Sequence, residues 1–151
     1  TEFLRDGRHE TAHATWRRAI GELPETLSTQ STQSIADIVF WDPFSPRANP
    51  TLWTAASFSA VRRLCRDRAT LHTYSGATAV RAALLLAGFS VGMGPETGEH
   101  KRGTTAAVRK TDLDEPLDRR WLDRLARSSS PFPADAPSDA LERIAALPQF
   151  R

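Results

Sequence analysis

Between Ile35 and Arg109 the chain alternates short β-rich apolar runs with amphipathic helical stretches, in the order β-α-β-α-β-β. That alternation confines the fold to the α/β class. Two parallel strands need a crossover of a dozen or more residues, and a helix between them supplies it. The first run, Ile35 to Asp42 (IADIVFWD), has Ile38, Val39, Phe40 and Trp41 in unbroken succession. Such a run predicts a strand buried on both faces, as in a parallel sheet.

Leu52 to Arg66 follows as a helix, with Leu52, Ala56, Phe58, Val61, Leu64 and Cys65 on one face and Arg62, Arg63 and Arg66 near its C-terminal end. Cations there complement the helix dipole. Ala69 to Ser75 alternates as a strand, and Gly76 to Ala87 reads as a second helix with Ser75 as N-cap and Gly88 at C′. Phe89 to Met93 and Thr104 to Arg109 are the last two strands, close enough for an antiparallel hairpin. Glu115 to Ser128 and Ser138 to Leu147 are expected as helices. Trp16 to Leu23 fits a helix, and His9 to Thr15 fits either a strand or an extension of that helix.

Composition narrows the setting. At 151 residues the chain has little room beyond one main domain. Its longest apolar run, Ala82 to Phe89, is far short of the ~20 residues of a membrane span. No charged-then-apolar leader opens the chain, so no signal peptide is expected, and the lone Cys65 suits a reducing compartment. The net charge of +2 hides an uneven distribution. Residues 51–111 carry 9 basic and 3 acidic side chains, and both flanking segments are mildly acidic. Of the 20 basic residues 18 are Arg, the side chain suited to bidentate phosphate contacts.

His9-Glu10-Thr11-Ala12-His13 spells the H-E-x-x-H pattern of zinc peptidases. Both imidazoles reach one ion only on a helix, because four residues of strand span roughly 13 Å. A zinc hydrolase through His9, Glu10 and His13 is therefore the weaker rival reading, against solvent-facing histidines. Ser75-Gly76 lacks the flanking glycines of a nucleophile elbow, and no G-x-G-x-x-G or Walker loop occurs. His72 and Cys65 have no partners visible in sequence and are expected to be structural.

The strongest local signal is the turn Asp42-Pro43-Phe44-Ser45-Pro46-Arg47-Ala48-Asn49-Pro50. Strand-to-helix loops usually take 2–6 residues, and this one takes about nine. In open α/β sheets ligands sit outside the carboxyl ends of strands, which is where Asp42 falls. Asp42 either works there or caps the turn. Trp41, Phe44 and Trp53 are candidates to line a flat pocket, and Tyr74 ends the neighbouring strand at the same edge.

The stretches FWDPFSPRANPTLWT and ATLHTYSGATAVRAALLLAGFSVGMGPETGEHKRGTTAAV resemble the MnmC-type bacterial tRNA wobble-uridine methyltransferases over residues 36 to 109. The resemblance rests on a D-x-F-[SA]-P-x-x-N-P-x-x-W block, a T-[YF] strand, a V-R helix, A-G-F and a G-x-x-[KR]-[KR] turn. It implies the C-terminal part of a Rossmann-like class I methyltransferase sheet with a terminal antiparallel hairpin, over residues 1–111, and a helical extension over 112–151. It further implies S-adenosyl-L-methionine (SAM) as cofactor, tRNA as partner, a cytoplasmic setting, and methylation of the primary amine of 5-aminomethyl-2-thiouridine. Asp42 matches the family's aspartate and Phe44 its aromatic, the expected catalytic pair. Phe44 and Tyr74 are expected to stack on the base, and Arg47, Arg81, Lys101 and Arg102 to meet anticodon-loop phosphates.

The family's Gly-rich loop, acidic ribose ligand and Gly-Asp pair have no counterpart here, and Ala14-Thr15-Trp16-Arg17 stands at the last. No SAM binding is expected of these 151 residues alone. An N-terminal segment, an oxidase domain or a second chain is an expected partner. In this alignment His9 to Thr15 is the third strand and Ile35 to Asp42 the fourth, with the family's first and second strands between them. The fourth strand would then carry an unpaired apolar edge. The rival from another class is a truncated, inactive module that binds RNA or a partner protein.

Overall fold

A computed structural model describes residues 7–23, 25–28, 35–97 and 101–151. The chain forms two units, Thr1–Gln30 and Ser31–Arg151. In the first, β1 (Arg8–Glu10) and β2 (Thr15–Arg17) pair as an antiparallel hairpin with His9 opposite Trp16. Thr11 closes the turn: its N–H donates to the Ala14 carbonyl at 2.8 Å, and its hydroxyl accepts from the Ala14 N–H at 3.0 Å. A one-turn helix, α1 (Glu25–Ser28), follows.

This hairpin corrects three expectations. His9 to Thr15 is not one strand of the main sheet, since the chain reverses at Thr11–Ala14. Trp16 to Leu23 is not a helix, and Trp16 and Ile20 are exposed rather than packed on an apolar stripe. The H-E-x-x-H pattern loses its helix, with His9 in a strand and His13 in the turn, so the zinc-hydrolase reading falls.

The second unit is built on a mixed sheet of β3 (Ala36–Phe40), β4 (Cys65–Thr73), β5 (Ser90–Thr97) and β6 (Lys101–Ala107), in the order β3-β4-β6-β5. β3 and β4 are parallel, and β6 runs antiparallel to both β4 and β5. The crossovers are α2 (Ala55–Leu64) and α3 (Thr78–Leu86). The predicted helix from Leu52 thus divides into a 3-10 turn over Pro50–Trp53 and α2, and Cys65 already belongs to β4.

Thr54 caps α2 by accepting from the Ser57 N–H at 3.2 Å. The Asp135 carboxylate, far along the chain, accepts from the Ala55 and Ala56 N–H groups at 3.0 and 2.9 Å. The donors left over at a helix start are thereby satisfied, with a charge of favourable sign for the dipole. In α3 the run Val80–Leu85 is buried. Gly88, at φ +87, turns the chain out as predicted, with its N–H on the Leu85 carbonyl and that of Phe89 on Leu84. The N-cap of α3 is Ala77 rather than Ser75.

One face of the sheet carries Ala69, Leu71, Val91 and Ala106, all fully buried, and Trp41 continues that face against Phe58 of α2. The opposite face at β3 is open. Ile38 is 60% and Phe40 80% exposed, and no described strand pairs with the outer edge of β3. The strand expected to be buried on both faces is therefore an edge strand with one face in solvent. Such an edge promotes association. The second unit is expected to self-associate at tens of micromolar, and Ile38→Lys to keep it monomeric. Sedimentation velocity checks this, and a wild-type monomer at all concentrations would contradict it.

The far edge is covered. Residues 115–117 lie along β5, with the Met93 N–H on the Glu115 carbonyl and the Leu117 N–H on the Val91 carbonyl, both at 2.9 Å. Helices α4 (Arg119–Ala126) and α5 (Ala140–Ala145) close this side around Trp121, Leu125 and Ile144, and Trp121 stacks on Phe150. Both are shorter than the predicted helices over Glu115–Ser128 and Ser138–Leu147. No described helix is long and apolar enough to cross a membrane.

Candidate active site

β3 stays in register with β4 one residue past its end, through the Trp41 N–H on the His72 carbonyl at 2.9 Å. Asp42 then leaves the sheet at its carboxyl edge, exposed. The following loop holds itself: the Ser45 carbonyl accepts from the Ala48 and Asn49 N–H groups at 2.9 and 3.0 Å. Phe44 has φ +47, a left-handed conformation that costs a bulky side chain strain. The Tyr74 hydroxyl donates to the Phe44 carbonyl at 2.8 Å, and the Tyr74 ring meets Trp53 edge-on. This clamp leaves the Phe44 ring 75% exposed.

Tyr74→Phe keeps the ring against Trp53 and removes only the clamp, worth about 1 kcal/mol. Amide exchange at Ala48 and Asn49 is expected to speed up about fivefold, with the melting temperature nearly unchanged. Unaltered exchange would show that the loop holds without Tyr74.

Behind the loop lies a cavity of about 230 Å³, lined by Phe40, Asp42, His72 and Tyr74 on one side and Gly103 and Thr104 of β6 on the other. Gly103 is required there, since a Cβ would come within 2.5 Å of the Thr73 carbonyl oxygen. The His72 ring sits 5.8 Å from that of Phe40, with Nε2 3.0 Å from Thr70 Oγ1 and Nδ1 3.4 Å from Thr105 Oγ1. His72, expected to be structural, is thus a wall of the cavity. The alternation of β4 carries the signal, because His72 and Tyr74 are two apart. Gly103 and Thr104 could not be found that way, since their place depends on β6 pairing with β4.

The basic candidates divide. Arg47 is exposed on the loop, outside the cavity lining. Lys101 opens β6, and its side chain lies outside the described residues. Arg102 donates from Nε to the Gly94 carbonyl at 3.0 Å and pairs with Glu115 at 2.7 Å. Arg81, expected at a phosphate, is instead only 6% exposed. It donates from Nε to Thr104 Oγ1 and from Nη2 to the Gly103 carbonyl, both at 3.0 Å. Burial lowers its pKa, and Arg124 and Arg102 lower it further. Arg81 therefore supports the cavity floor rather than presenting its charge to solvent.

A larger cavity of about 670 Å³ beside α4 carries Glu115, Asp118 and Asp123 together with Arg120, Arg124 and Arg127. Its charges are balanced, and it borders β5 and α4 rather than the end of β3.

The chain matches the family described as S-adenosyl-L-methionine-dependent methyltransferase over residues 7–110. It is 43% identical over 83 residues to the tRNA 5-methylaminomethyl-2-thiouridine biosynthesis bifunctional protein MnmC of Ralstonia nicotianae, an alignment covering 55% of this chain and 12% of that protein. The crystal structure of MNMC2 from Aquifex aeolicus superimposes with a TM-score of 0.74 at 27% identity, over 95% of this chain and 47% of that one. The chain thus spans about half the length of that solved relative and a smaller part of the curated one.

SAM is the family's cofactor. The cavity at Asp42 fits it poorly: its volume of about 230 Å³ lies below the usual range for ligands of that size, and Asp42 is its one acidic lining residue. Among the described residues no Gly-rich turn follows a strand to receive the ribose and methionine ends. With its mixed α/β sheet and its match over residues 7–110, the chain belongs to the S-adenosyl-L-methionine-dependent methyltransferase family.

Proposed function

We propose that the chain is the acceptor-binding part of a tRNA methyltransferase that acts, in the cytoplasm, on the aminomethyl group of a modified wobble uridine. The observation that carries this reading is the cavity at the carboxyl edge of the parallel pair β3-β4, where one carboxylate, Asp42, stands among Phe40, His72 and Tyr74. The Ralstonia relative is named for 5-methylaminomethyl-2-thiouridine biosynthesis, which supports the substrate class.

SAM, when bound, supplies an electrophilic methyl group. The chain's own task is to present an amine with a free lone pair. An aminomethyl group is largely protonated at neutral pH, as a lysine is. The Asp42 carboxylate orients the ammonium and takes its proton as the nitrogen becomes the nucleophile. Phe44, exposed and held in place by Tyr74, offers a face on which the base stacks. Arg47 on the loop and Lys101 at the start of β6 are the proposed contacts for anticodon-loop phosphates, since Arg102 is already engaged by Glu115 and the Gly94 carbonyl.

Disrupting the gene and hydrolysing total tRNA tests the reading. Loss of the 5-methylaminomethyl nucleoside with accumulation of its primary amine precursor is expected, and unchanged nucleosides would refute it. A second reading, a non-catalytic module that binds a partner protein, draws on the open apolar edge of β3. It predicts unchanged nucleosides and a stable complex formed through that edge.

A further inference from the structure

We propose that Arg81 fixes a positive charge behind the floor of the Asp42 cavity and thereby keeps the acceptor amine unprotonated. This inference rests on the reading of that cavity as an amine methyl-acceptor site.

Arg81 is 6% exposed, and among the described residues no carboxylate pairs with it. Burying a cation without an anion is costly, and an arginine cannot relieve the cost by losing its proton. Arg102 of β6 and Arg124 of α4 bring further positive charge towards it, and the nearby Glu115 is taken up by Arg102. A neutral side chain could have made the bonds to Thr104 and Gly103 at less expense. The charge itself is what distinguishes arginine at this position.

Its placement gives the charge a use. The residues that accept from the guanidinium, Thr104 and Gly103, are the cavity floor. The charge therefore lies one hydrogen bond behind the surface on which the acceptor rests. The other titratable groups facing the cavity are Asp42 from the loop, His72 from β4 and Tyr74 just past its end. Of these only Asp42 is an acid able to hold an ammonium in place, and taken alone it would make the amine harder to deprotonate. A fixed cation opposes that effect, because a like charge disfavours the ammonium. At about 10 Å and an effective dielectric constant near 20, one unit charge shifts a neighbouring amine by about one pH unit. Asp42 thus orients the amine, while Arg81 biases it towards the form with a lone pair.

The test is the pH profile of kcat/KM for methyl transfer to tRNA carrying the primary amine, measured on the full natural polypeptide. His72→Gln serves as background, removing the imidazole that lines the cavity. Arg81→Gln keeps donors for Thr104 and Gly103 and loses the charge. Its acid limb is expected to move up by about one pH unit, with a roughly tenfold loss at neutral pH that is recovered in alkali. A loss of equal size at every pH would mean that Arg81 only packs, and would overturn the proposal. Arg124→Glu, on the exposed face of α4, guards against a misfolded Arg81 variant. It is expected to raise the same limb by a few tenths of a unit, and an unmoved limb would count against the proposal. If the unsubstituted protein transfers no methyl group to the amine, the functional reading itself fails. That result differs from an active protein whose limb does not move.

Discussion

Asp42→Asn in the intact protein is expected to lower the rate of amine methylation by ~10²–10⁴, the usual worth of a positioned acid or base. The substitution keeps the shape of the side chain and removes both its charge and its basicity. Asp42 is exposed at the cavity mouth and makes no described hydrogen bond that holds the loop, which Ser45 and Tyr74 secure instead. The fold should therefore survive, and the loss should fall on kcat. SAM affinity should change little, because the carboxylate faces the acceptor cavity. Steady-state kinetics with a saturating methyl donor make the comparison. Near-normal rates would return Asp42 to the role of a turn residue.

The largest effect on stability is expected at Gln149. Its side chain is buried and acts as one rung of a ladder. Oε1 accepts from the Val91 N–H at 2.8 Å, and Nε2 donates to the carbonyls of Val91 at 2.6 Å and Leu117 at 3.0 Å. One amide thus joins the outer edge of β5 to the segment before α4. Gln149→Ala leaves two buried backbone groups, the Val91 N–H and the Leu117 carbonyl, without their partner, while the Val91 carbonyl keeps the Leu117 N–H, at a cost of about 2–4 kcal/mol. For a unit of this size that lowers the melting temperature by about 10 °C. Gln149→Glu is expected to be no better, since a carboxylate cannot donate to either carbonyl and its charge would be buried. Calorimetry decides, and a drop of only a degree or so would show that the C-terminal segment is held by Trp121 and Phe150 alone.

Much of the framework was legible in the residues. The β-α-β-α-β-β order, the closing hairpin and the turn at Gly88 follow from periodicity and from glycine and proline, and the structure has them all. The failures have physical causes. A continuous apolar run such as IVFW looks the same whether one face or both are covered, so the exposed face of β3 could not be distinguished from a buried one, whereas its unpaired edge was expected from the family alignment. Trp16 and Ile20 suggested a packed helix, yet nothing in the sequence specifies what such a helix would pack against, and both are exposed. Gln149 and Asp135 bind backbone groups tens of residues away, which no local pattern encodes.

The site divides in the same way. Asp42, Phe44 and Tyr74 were legible because a strand end followed by an over-long proline turn is a local signal. Arg81 was legible as a residue but not as a buried one. Its burial depends on β6 lying between β4 and β5, which places Gly103 and Thr104 against Arg81, the fourth residue of α3. His72 entered the site differently, through its alternation with Tyr74 two residues on, a weaker signal than a motif.

The central claim is that the Asp42 cavity receives an aminomethyl group on tRNA. The most direct measurement incubates the full natural polypeptide with SAM and tRNA that carries the unmethylated amine, followed by mass spectrometry of the nucleosides. The account predicts one added methyl group on the side-chain nitrogen of the wobble uridine, and almost none with Asp42→Asn. A methyl group on a ring atom, on a ribose or on another nucleotide would contradict it.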